Sequence, residues 1–495
     1  MAKSYRPWAP AQSYLLPPSP TEWLPEEHLA YFVLEVVDEL VIGEIESVLQ
    51  SKDHRGERAY PPRMMVALLL YAYSTGTFSS RKIARETYDD VAYRVIVAGA
   101  HPHFTTVNQF RLEHRHALAG LFKQILELCQ KAGLVKLGHI AIDGSKVKAN
   151  ASKHKAMSHD RMQSTEEKLT KEIDALLAHA DDVDAAEDVL HGVGKDIEDL
   201  PAELQRREGR RAKIQEAKAV LEQEAAEARA TELRGQAEAH RETAADPDLP
   251  ERQRRTAVTL AETRDEQADD IAAERVDSPL HSDDDLPRHQ PPTETDGEPT
   301  PEAQRNFTDP DSRIMVRDGA FVQAYNVQIA VDDAHQIIVA EAVGNQAPDA
   351  EYMEPMLTRV AQNCGALPDC CTLDAGYCSD ANIHTAEHFG CEPFIAVNRQ
   401  RRGSPDVAPP PSSPEREAMR ALLKTPRGKQ AYARRKCTVE PVFGQIFAAR
   451  GFRQFLLRGL RKVRFEWTFL SLTHNLLKLF RARHRPRGLA QAAAA

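Results

Sequence analysis

The sequence predicts an α/β domain that follows an all-α domain and is interrupted by a long acidic insertion. Three observations carry this prediction. Up to about residue 135, apolar residues recur at helical spacing. After it, short apolar strands alternate with helices, and between residues 159 and 308 the composition shifts to Ala, Glu, Asp and Arg. At 495 residues the chain is long enough for about two to four domains.

The N-terminal region is predicted to be an extended arm over residues 1–24 and a helical domain over residues 25–135. Helices are predicted from apolar spacing and from Pro, Ser or Thr at their starts, over 29–40, 63–74, 81–94 and from Thr105 or Thr106 to 132. Basic residues near two short helices allow a helix-turn-helix interpretation, and the alternative is a helical bundle with a solvated basic face. These basic residues are Lys82, Arg85, Arg111, His114 and Arg115.

A change of period marks the start of the α/β domain. Residues 139–143 predict a short buried strand that ends in a carboxylate, Gly144 is predicted to turn the chain, and residues 146–149 are predicted to return as a second short strand or an extension. The elements predicted further along are a β-hairpin over 321–331 and 336–343, a helix over 349–364, a strand over 370–374, a helix over 382–389, a strand over 393–397 and a loop over 400–418.

The acidic segment, residues 159–308, is predicted to be an insertion in the α/β domain, because strands of that domain stand on both sides of it. Apolar residues at three- and four-residue spacing over 160–235 predict long helices in a helical hairpin or coiled coil. Residues 246–310 hold many Pro, Asp, Glu and Thr and almost no large apolar side chains. Most of that stretch is therefore predicted to be disordered.

Charge is distributed unevenly along the chain. The formal net charge is −10, but residues 160–305 hold 39 acidic and 20 basic residues, so the rest of the chain carries +9. Residues 431–488 are the most basic part, with 14 Lys and Arg against two Glu. The acidic total therefore does not argue against a nucleic-acid partner for the remainder.

Composition excludes other classes of protein. The longest apolar run, Met64–Ala72, is about half as long as a membrane span requires, and the N-terminus lacks the apolar core of a signal peptide. A cytoplasmic protein without membrane segments is predicted. The seven cysteines are odd in number, include the adjacent Cys370 and Cys371, and lack C-x-x-C spacing, so free thiols are favoured over disulfides or zinc.

Two predicted strands end in an aspartate that a glycine follows closely, at Asp143-Gly144 and Asp374-Ala375-Gly376. Ligands of open α/β sheets bind at the carboxyl ends of strands, so these carboxylates converge if the strands are neighbours. Two Mg²⁺ ions about 3.5–4 Å apart would offset their repulsion and suit phosphoryl transfer. Glu440 is the third candidate acid, near a helix start that Pro441 places at about Thr438. The alternative is that these acids belong to ordinary strand ends and Asp-Gly turns.

The motifs around the three acids are Ile142-Asp143-Gly144-Ser145, Leu373-Asp374-Ala375-Gly376-Tyr377 and Val439-Glu440-Pro441-Val442-Phe443-Gly444-Gln445. They stand in order with Leu15-Leu16-Pro17-Pro18, Leu24-Pro25-Glu26-Glu27-His28-Leu29, Tyr325-Asn326-Val327-Gln328, Gly451-Phe452-Arg453, Leu457-Arg458-Gly459-Leu460 and His474-Asn475-Leu476. Together these motifs resemble the DDE transposases of bacterial insertion sequences. The resemblance covers about residues 15–155 and 309–480.

This resemblance implies a ribonuclease-H-like catalytic core, a mixed sheet flanked by helices, over residues 136–158 and 309–480. It implies that Asp143, Asp374 and Glu440 form a catalytic triad that binds Mg²⁺, with Mn²⁺ able to substitute. The implied activity is cleavage at the terminal inverted repeats of the element and transfer of the freed 3′ ends into target DNA.

The implied partners are double-stranded DNA and a second copy of the chain, because joining two DNA ends favours a homodimer. The helical domain is expected to bind DNA, and residues 481–495 are expected to form a basic, flexible tail. The other candidate DNA-contacting residues are Arg435, Lys436, Arg450, Arg453, Arg458 and Lys462.

Two departures from the family's pattern surround Glu440. Many relatives place three residues between the Arg and the Glu of this motif, whereas four separate Arg435 from Glu440, so either Arg435 is displaced or Lys436 takes its place. Phe447 stands where the family usually has a Lys that is thought to contact terminal DNA. Either a nearby arginine, Arg450 or Arg453, substitutes for that Lys, or this copy is impaired. The simplest role for Phe447 itself is packing in the core.

Other hypotheses therefore stay open beside an active transposase. The first is a transposase-derived DNA-binding protein whose chemistry is lost. A second is a scaffold that acts through its helical insertion. A third is a tyrosine recombinase, which would form a covalent adduct with DNA.

Overall fold

The computed structural model describes residues 19–50, 59–191, 202–273, 286–397 and 413–484. Most of the predicted N-terminal arm lies outside these ranges, and Pro20–Trp23 forms a short 3-10 turn. None of the helices within the described ranges is both long and apolar enough to cross a membrane.

The N-terminal region is helical, as predicted. Its helices are α1 (Leu29–Glu39), α2 (Gly43–Gln50), α3 (Pro62–Ser74), α4 (Ser80–Asp89), α5 (Val91–Ile96), α6 (Phe104–Glu113) and α7 (Arg115–Lys131). The first two predicted helices are confirmed as α1 and α3, whereas α2 was not predicted. The amphipathic spacing of α1 buries one face against α3, which accounts for the success of the periodicity argument there.

The third and fourth predicted helices, over 81–94 and up to 132, are each divided into two helices. The third predicted helix is divided into α4 and α5, because the Asp90 carboxylate accepts two backbone N–H groups in the first turn of α5 and caps it. The fourth is divided at His114 into α6 and α7. His103, rather than one of the predicted threonines, caps α6, since its ring nitrogen accepts the N–H of Thr105.

A mixed six-stranded sheet forms the centre of the molecule, and a two-stranded sheet stands beside it. The strands are β1 (His139–Lys148), β2 (Ala156–Ser158), β3 (Gln304–Asn306), β4 (Arg313–Arg317), β5 (Ala320–Asp332), β6 (Ile337–Gly344), β7 (Cys370–Leu373) and β8 (Glu392–Ile395). The main sheet has the order β4-β5-β1-β7-β8, and β6 also pairs with β5. Strands β1, β5 and β6 are antiparallel neighbours, whereas β7 runs parallel to β1 and β8 parallel to β7. The predicted hairpin and the α/β class are confirmed.

Strand β1 corrects the turn predicted at Gly144. Nine consecutive residue pairs join β1 to β5, from Ile140 to Lys148, and Gly144 lies in the middle of this ladder. Strand β5 is 13 residues long, so the backbone on both sides of Gly144 finds hydrogen-bond partners. The two short strands predicted around the glycine are therefore one strand.

The acidic insertion is largely helical. Helices α8 (His159–His191) and α9 (Ala202–Ala245) pack against each other, which confirms the predicted hairpin. Gly192, Gly194 and Pro201, which interrupt the helical pattern of the sequence between these helices, lie outside the described residues.

The prediction of disorder over residues 246–310 was wrong for much of that stretch. Helix α10 (Glu251–Ala273) packs along α9, and residues 286–310 follow a defined path that includes β3. The buried side chains of α10 are mostly small, and Ala268 packs against Ala230 and Leu233 of α9. A prediction that relies on large apolar residues overlooks such packing. Residues 274–285 lie outside the described ranges.

Buried ion pairs attach the insertion to the main sheet. Glu224 of α9 lies 2.7 Å from Arg305 and 3.1 Å from Arg313 of β4. None of the three side chains is more than 14% exposed. One carboxylate therefore holds two guanidinium groups at the base of the insertion.

The remaining helices lie around the sheet. They are α11 (Met353–Cys364), α12 (Asp380–His388), α13 (Pro414–Lys424), α14 (Pro426–Thr438), α15 (Glu440–Gly444), which continues into a π-helical turn (Gln445–Ala449), and α16 (Leu460–Arg483). Most of the loop predicted over 400–418 lies outside the described residues, and α13 begins within it. The predicted flexible tail begins inside α16, because that helix continues to Arg483.

Helix α16 joins the helical region to the sheet in one hydrophobic core. It packs against α3, which is buried continuously from Met65 to Ser74. On the sheet side, Asn475 accepts the N–H of Ile338 and donates to its carbonyl oxygen, both at 2.8 Å. The Trp467 indole N–H donates to the carbonyl oxygen of Gln328 at 3.3 Å.

Candidate active site

Two of the three candidate acids, Asp143 and Asp374, lie side by side where the parallel pairing of β1 and β7 ends. The last paired residues of β1 and β7 are Ala141 and Thr372, and Asp143 and Asp374 each follow two residues later. Asp143 is 13% exposed. The third acid, Glu440, is the first residue of α15 and is 52% exposed. The helix predicted to start near Thr438 begins instead at Glu440, because Thr438 ends α14.

Arg435, in the last turn of α14, connects two of these acids. Its Nη2 atom lies 2.7 Å from Asp143 Oδ2, and its Nη1 atom lies 3.7 Å from Glu440 Oε1. The guanidinium is 12% exposed. Burial lowers the pKa of Arg435, but the neighbouring charges of Asp143, Tyr432 and Asp374 raise it above its usual value, so Asp374 also acts on this guanidinium. The structure thus brings the three predicted acids together around one arginine.

The pKa of Asp143 is raised to about 6. Burial is the main cause, and the neighbouring charge of Asp374 adds to it. The ion pair with Arg435 and the hydrogen bond from the Gly144 N–H oppose the rise without cancelling it. Two neighbouring carboxylates in a largely buried place favour the binding of a proton or a cation.

Backbone N–H groups fix the orientation of both aspartates. The Gly144 N–H donates to Asp143 Oδ1 at 3.0 Å, and the Gly376 N–H donates to Asp374 Oδ1 at 2.7 Å. Neither glycine has a positive φ. Lack of space accounts for a glycine at each position. A Cβ at Gly144 would lie 2.4 Å from Gln328 Nε2, and a Cβ at Gly376 would lie 2.9 Å from Asp374 Oδ1.

A polar cluster beside the triad was not predicted as part of the site. Asp349 accepts hydrogen bonds there from Lys146, Asn326 and Gln328. Gln328 in turn accepts a hydrogen bond from the hydroxyl group of the fully buried Tyr377. A signal was present in the sequence, since Asn326 and Gln328 are polar residues with period two in a mostly apolar strand, but the sequence does not say what they face.

The predicted DNA-contacting residues differ in exposure. Lys436, Arg453, Arg458 and Lys462 are exposed, and Arg435 is mostly buried. Arg450 is buried and donates to Thr473 Oγ1 at 2.8 Å and to the Leu470 carbonyl oxygen at 3.2 Å. Burial lowers its pKa to about 9, helped by the charge of Arg481. Arg450 is therefore a core residue in this structure and not a surface cation.

Phe447 packs as the simplest interpretation of the sequence suggested. Its ring stacks on Phe443 with centroids 5.4 Å apart, and Trp467 lies 6.2 Å away. The guanidinium of Arg317, at the end of β4, lies 5.9 Å from the Phe447 ring centroid. The positive charge of Arg317 therefore lies next to the position where the family usually has a Lys, although Arg317 belongs to a distant part of the chain.

The chemistry of the triad suits a hard divalent cation. Its donors are carboxylate oxygens, which Mg²⁺ prefers. Arg435 occupies the place of a cation among them in this structure. Within the described residues, the cluster whose ligand atoms all lie within 4.8 Å is a different one, His159, Glu222 and Glu298 in the insertion. The contact of His159 with Glu222, at 3.1 Å, holds α8 on α9.

Comparison with family models gives two matches. A model described as "Transposase DDE domain" matches residues 399–480, which include Glu440. A model described as "Transposase domain (DUF772)" matches residues 18–113, which include helices α1 to α6. Asp143 and Asp374 lie outside both matches. No curated protein and no solved structure gives a match. Both matched models describe transposase domains and occur in the order expected, which indicates a DDE-type insertion-sequence transposase.

Proposed function

We propose that the protein binds the terminal inverted repeats of its insertion sequence, cleaves the DNA and joins the 3′ ends to target DNA by Mg²⁺-dependent phosphoryl transfer. The observation that carries this proposal is the convergence of Asp143, Asp374 and Glu440 around Arg435. An acid from each of three separate segments meets at the carboxyl end of parallel strands, where ligands of such sheets bind.

The strand order supports the ribonuclease-H-like core that the resemblance implies. When the strands within and next to the insertion are set aside, the sheet reads β6-β5-β1-β7-β8, with three antiparallel neighbours followed by two parallel ones. Asp143 then lies on the first strand in chain order, Asp374 directly follows the fourth, and Glu440 begins a late helix. This is the placement of acids that the family implies.

Asp143, Asp374 and Glu440 would hold Mg²⁺, or Mn²⁺ in its place. When bound, the metal activates the attacking oxygen and stabilises the leaving oxygen of the phosphodiester. The chain's own residues orient the acids: the Gly144 and Gly376 N–H groups fix one oxygen of each aspartate. Arg435 occupies the other oxygen of Asp143, so its guanidinium has to move when a metal binds there. A DNA phosphate is a suitable new partner for it.

The exposed cations near Glu440 are the proposed contacts to the DNA backbone. Lys436, Arg453, Arg458 and Lys462 belong to this set, and Arg450 is removed from it because it is buried. In the helical domain of residues 25–135, exposed cations on α4, including Lys82 and Arg85, are further candidates. Phosphate contacts of this kind bind DNA without reading its sequence.

The proposed domain boundaries remain those expected from the sequence, with the insertion at 159–308 and the core at 136–158 and 309–480. The final segment is changed, since α16 runs to Arg483. A homodimer is proposed because two DNA ends have to be joined, and a cytoplasmic location suits access to bacterial DNA.

The DNA that flanks the gene supplies the test substrate. Purified protein should nick labelled duplexes that carry the flanking inverted repeats when Mg²⁺ is added, and Asp143→Asn, Asp374→Asn and Glu440→Gln should each abolish nicking while binding persists. Asp369→Asn is a matched control, because it removes a strand-end acid just before β7. Binding without nicking, with the three variants equal to the wild type, would reject the enzymatic proposal.

A catalytically impaired DNA-binding protein is the second candidate, and Phe447 favours it. The stack of Phe447 on Phe443 leaves an aromatic ring where the family usually has a cation. The same assay separates the two functions. If Phe447→Lys converts an inactive protein into an active one, the impaired-enzyme function is correct for the natural chain.

A further inference from the structure

Asp349 is placed to cap a helix but does not do so. It lies between β6 and α11, at the residue before the 3-10 turn Ala350–Tyr352. Aspartate at such a position usually accepts an N–H of the following turn, whereas the Asp349 side chain makes no capping hydrogen bond. Its carboxylate is 16% exposed. The side chain is therefore engaged elsewhere.

One oxygen of Asp349 accepts three hydrogen bonds from the sheet. Its Oδ1 atom lies 2.9 Å from Lys146 Nζ, 2.8 Å from Asn326 Nδ2 and 2.9 Å from Gln328 Nε2. Asn326 and Gln328 are fully buried, and their side chains also bond to each other at 3.1 Å. Three donors saturate this oxygen, and hydrogen bonds to a charged acceptor in such surroundings are strong.

The carboxylate of Asp349 touches the backbone beside both catalytic aspartates. A Cβ at Gly144 would lie 2.7 Å from Asp349 Oδ1, and a Cβ at Gly376 would lie 3.4 Å from Asp349 Oδ2. The two oxygens of the Asp349 carboxylate thus lie close to Gly144, which follows Asp143, and to Gly376, which precedes Tyr377. Any side chain at Gly144 would push this carboxylate away.

A second connection runs through Gln328. Its amide nitrogen donates to Asp349, and its amide oxygen accepts the hydrogen bond of Tyr377, which lies three residues after Asp374. On the other side, Lys146 lies three residues after Asp143 on β1. The segments that carry the two aspartates are therefore both tied to Asp349.

We infer that Asp349 is a positioning residue that sets the separation of the Asp143 and Asp374 carboxylates and so the affinity of the site for a divalent cation. The inference rests on the proposed function. Asp349 acts through its neighbours, since its Oδ1 is saturated by protein donors. Partners that orient metal ligands in this way change metal affinity or activity by about 10- to 100-fold when they are removed.

The test is Mn²⁺ binding to the full-length protein without DNA, measured by electron paramagnetic resonance of the free ion. Asp349→Asn keeps the size of the side chain but removes the charge that holds Lys146. It should raise the dissociation constant for Mn²⁺ by about 10- to 100-fold. The melting temperature without metal is measured in parallel to confirm the fold.

Glu351→Gln is the matched control. It removes the same charge two residues away, but Glu351 is exposed and bonds to Gln346 rather than to the strands. Its Mn²⁺ affinity should equal that of the wild type, so that a general loss of negative charge cannot explain the effect of Asp349→Asn.

Tyr377→Phe is the second variant in case Asp349→Asn does not fold. It removes only the hydroxyl group that bonds to Gln328 and should weaken Mn²⁺ binding in the same direction by a smaller factor. Wild-type affinity in both variants, or no Mn²⁺ binding by the wild type, overturns the inference. Failure of the proposed function looks different: Mn²⁺ binds and depends on Asp349, yet no DNA end is cleaved.

Discussion

The helical insertion and the end of the β1–β7 strand pair are both acidic, but they use their acids in opposite ways. Many ion pairs of the insertion are exposed, such as Arg234 with Asp269, whose side chains are 55% and 75% exposed. Where the β1–β7 pairing ends, Asp143 and the Arg435 side chain that contacts it are 13% and 12% exposed. Exposed pairs stabilise a fold by about 0–1 kcal/mol, whereas buried charges depend strongly on their partners.

This difference teaches that the number of acids says little about where chemistry occurs. The insertion supplies 39 acidic residues between positions 160 and 305 and dominates the net charge of −10. The candidate site has only a few acids, but burial and mutual repulsion raise the pKa of Asp143 to about 6. Glu224 is the exception within the insertion, because it is buried against Arg305 and Arg313.

The largest expected effect concerns that exception. Glu224→Ala leaves two buried guanidinium groups without their anion and should lower the free energy of unfolding by about 3–5 kcal/mol. The exposed counterpart Asp269→Ala should change it by less than about 1 kcal/mol. Urea unfolding followed by circular dichroism measures both. Equal effects of the two substitutions would mean that burial does not separate the two kinds of ion pair.

A smaller loss of stability is expected at the site itself. Arg435→Gln removes the cation beside Asp143, but the Gly144 N–H still bonds to that carboxylate. The melting temperature without metal should fall by the equivalent of about 1.5–3 kcal/mol. Added Mg²⁺ should raise it more in the variant than in the wild type, because the acids then lack a competing cation. A variant that Mg²⁺ does not stabilise would contradict a metal site around Arg435.

The pH dependence of cleavage should reflect Asp143. Because its pKa is raised to about 6, the carboxylate is protonated below that pH and cannot bind a metal. At low Mg²⁺ concentration, the single-turnover rate should fall about tenfold per pH unit below 6, and saturating Mg²⁺ should move this fall to lower pH.

The same pKa shift has a definite sign for stability. A carboxyl whose pKa is raised on folding contributes stability at low pH, and this contribution is lost as the pH rises from about 4 to about 6. In Asp143→Asn this pH-dependent term should disappear. Wild-type and variant stability curves that remain parallel across this range would show that Asp143 has an ordinary pKa.

The smallest expected effect is on DNA affinity, and it should distinguish two arginines of the basic region. Arg453 is exposed and Arg450 is buried against Thr473. Arg453→Ala should weaken DNA binding and reduce the slope of log affinity against log salt by about one, without loss of stability. Arg450→Met should alter stability and leave the salt slope unchanged. The reverse result would mean that Arg450 leaves the core when DNA binds.

Local patterns predicted much of the fold, and the failures have identifiable causes. Helices α1 and α3 followed from apolar spacing and from the prolines at a helix start, because both signals are local. The hairpin of β5 and β6 was also predicted, although both strands are buried almost throughout and not only at alternate residues. The turn at Gly144 was wrongly predicted, since only the length of the distant strand β5 shows that β1 continues. Helix α10 was missed because the side chains that it buries are mainly alanines, such as Ala257, Ala261 and Ala268, which are poor hydrophobic signals.

The candidate site shows the same division. Asp143, Asp374 and Glu440 could be named from strand ends, glycines and family motifs, because each signal is local. Three other features could not be predicted, because each joins residues from separate parts of the chain. They are the contact of Arg435 with Asp143, the burial of Arg450 and the hydrogen bonds that Asp349 accepts from the sheet.

The sequence by itself determined many of the helices and strands, the acidic and basic regions of the chain, and the three candidate acids, because periodicity, composition and motif order are properties of neighbours along the chain. Only the tertiary structure decided which charges are buried and which residues face one another. The packing of distant segments decides whether a carboxyl group is buried with a raised pKa, as Asp143 is, or exposed to solvent, as Asp269 is.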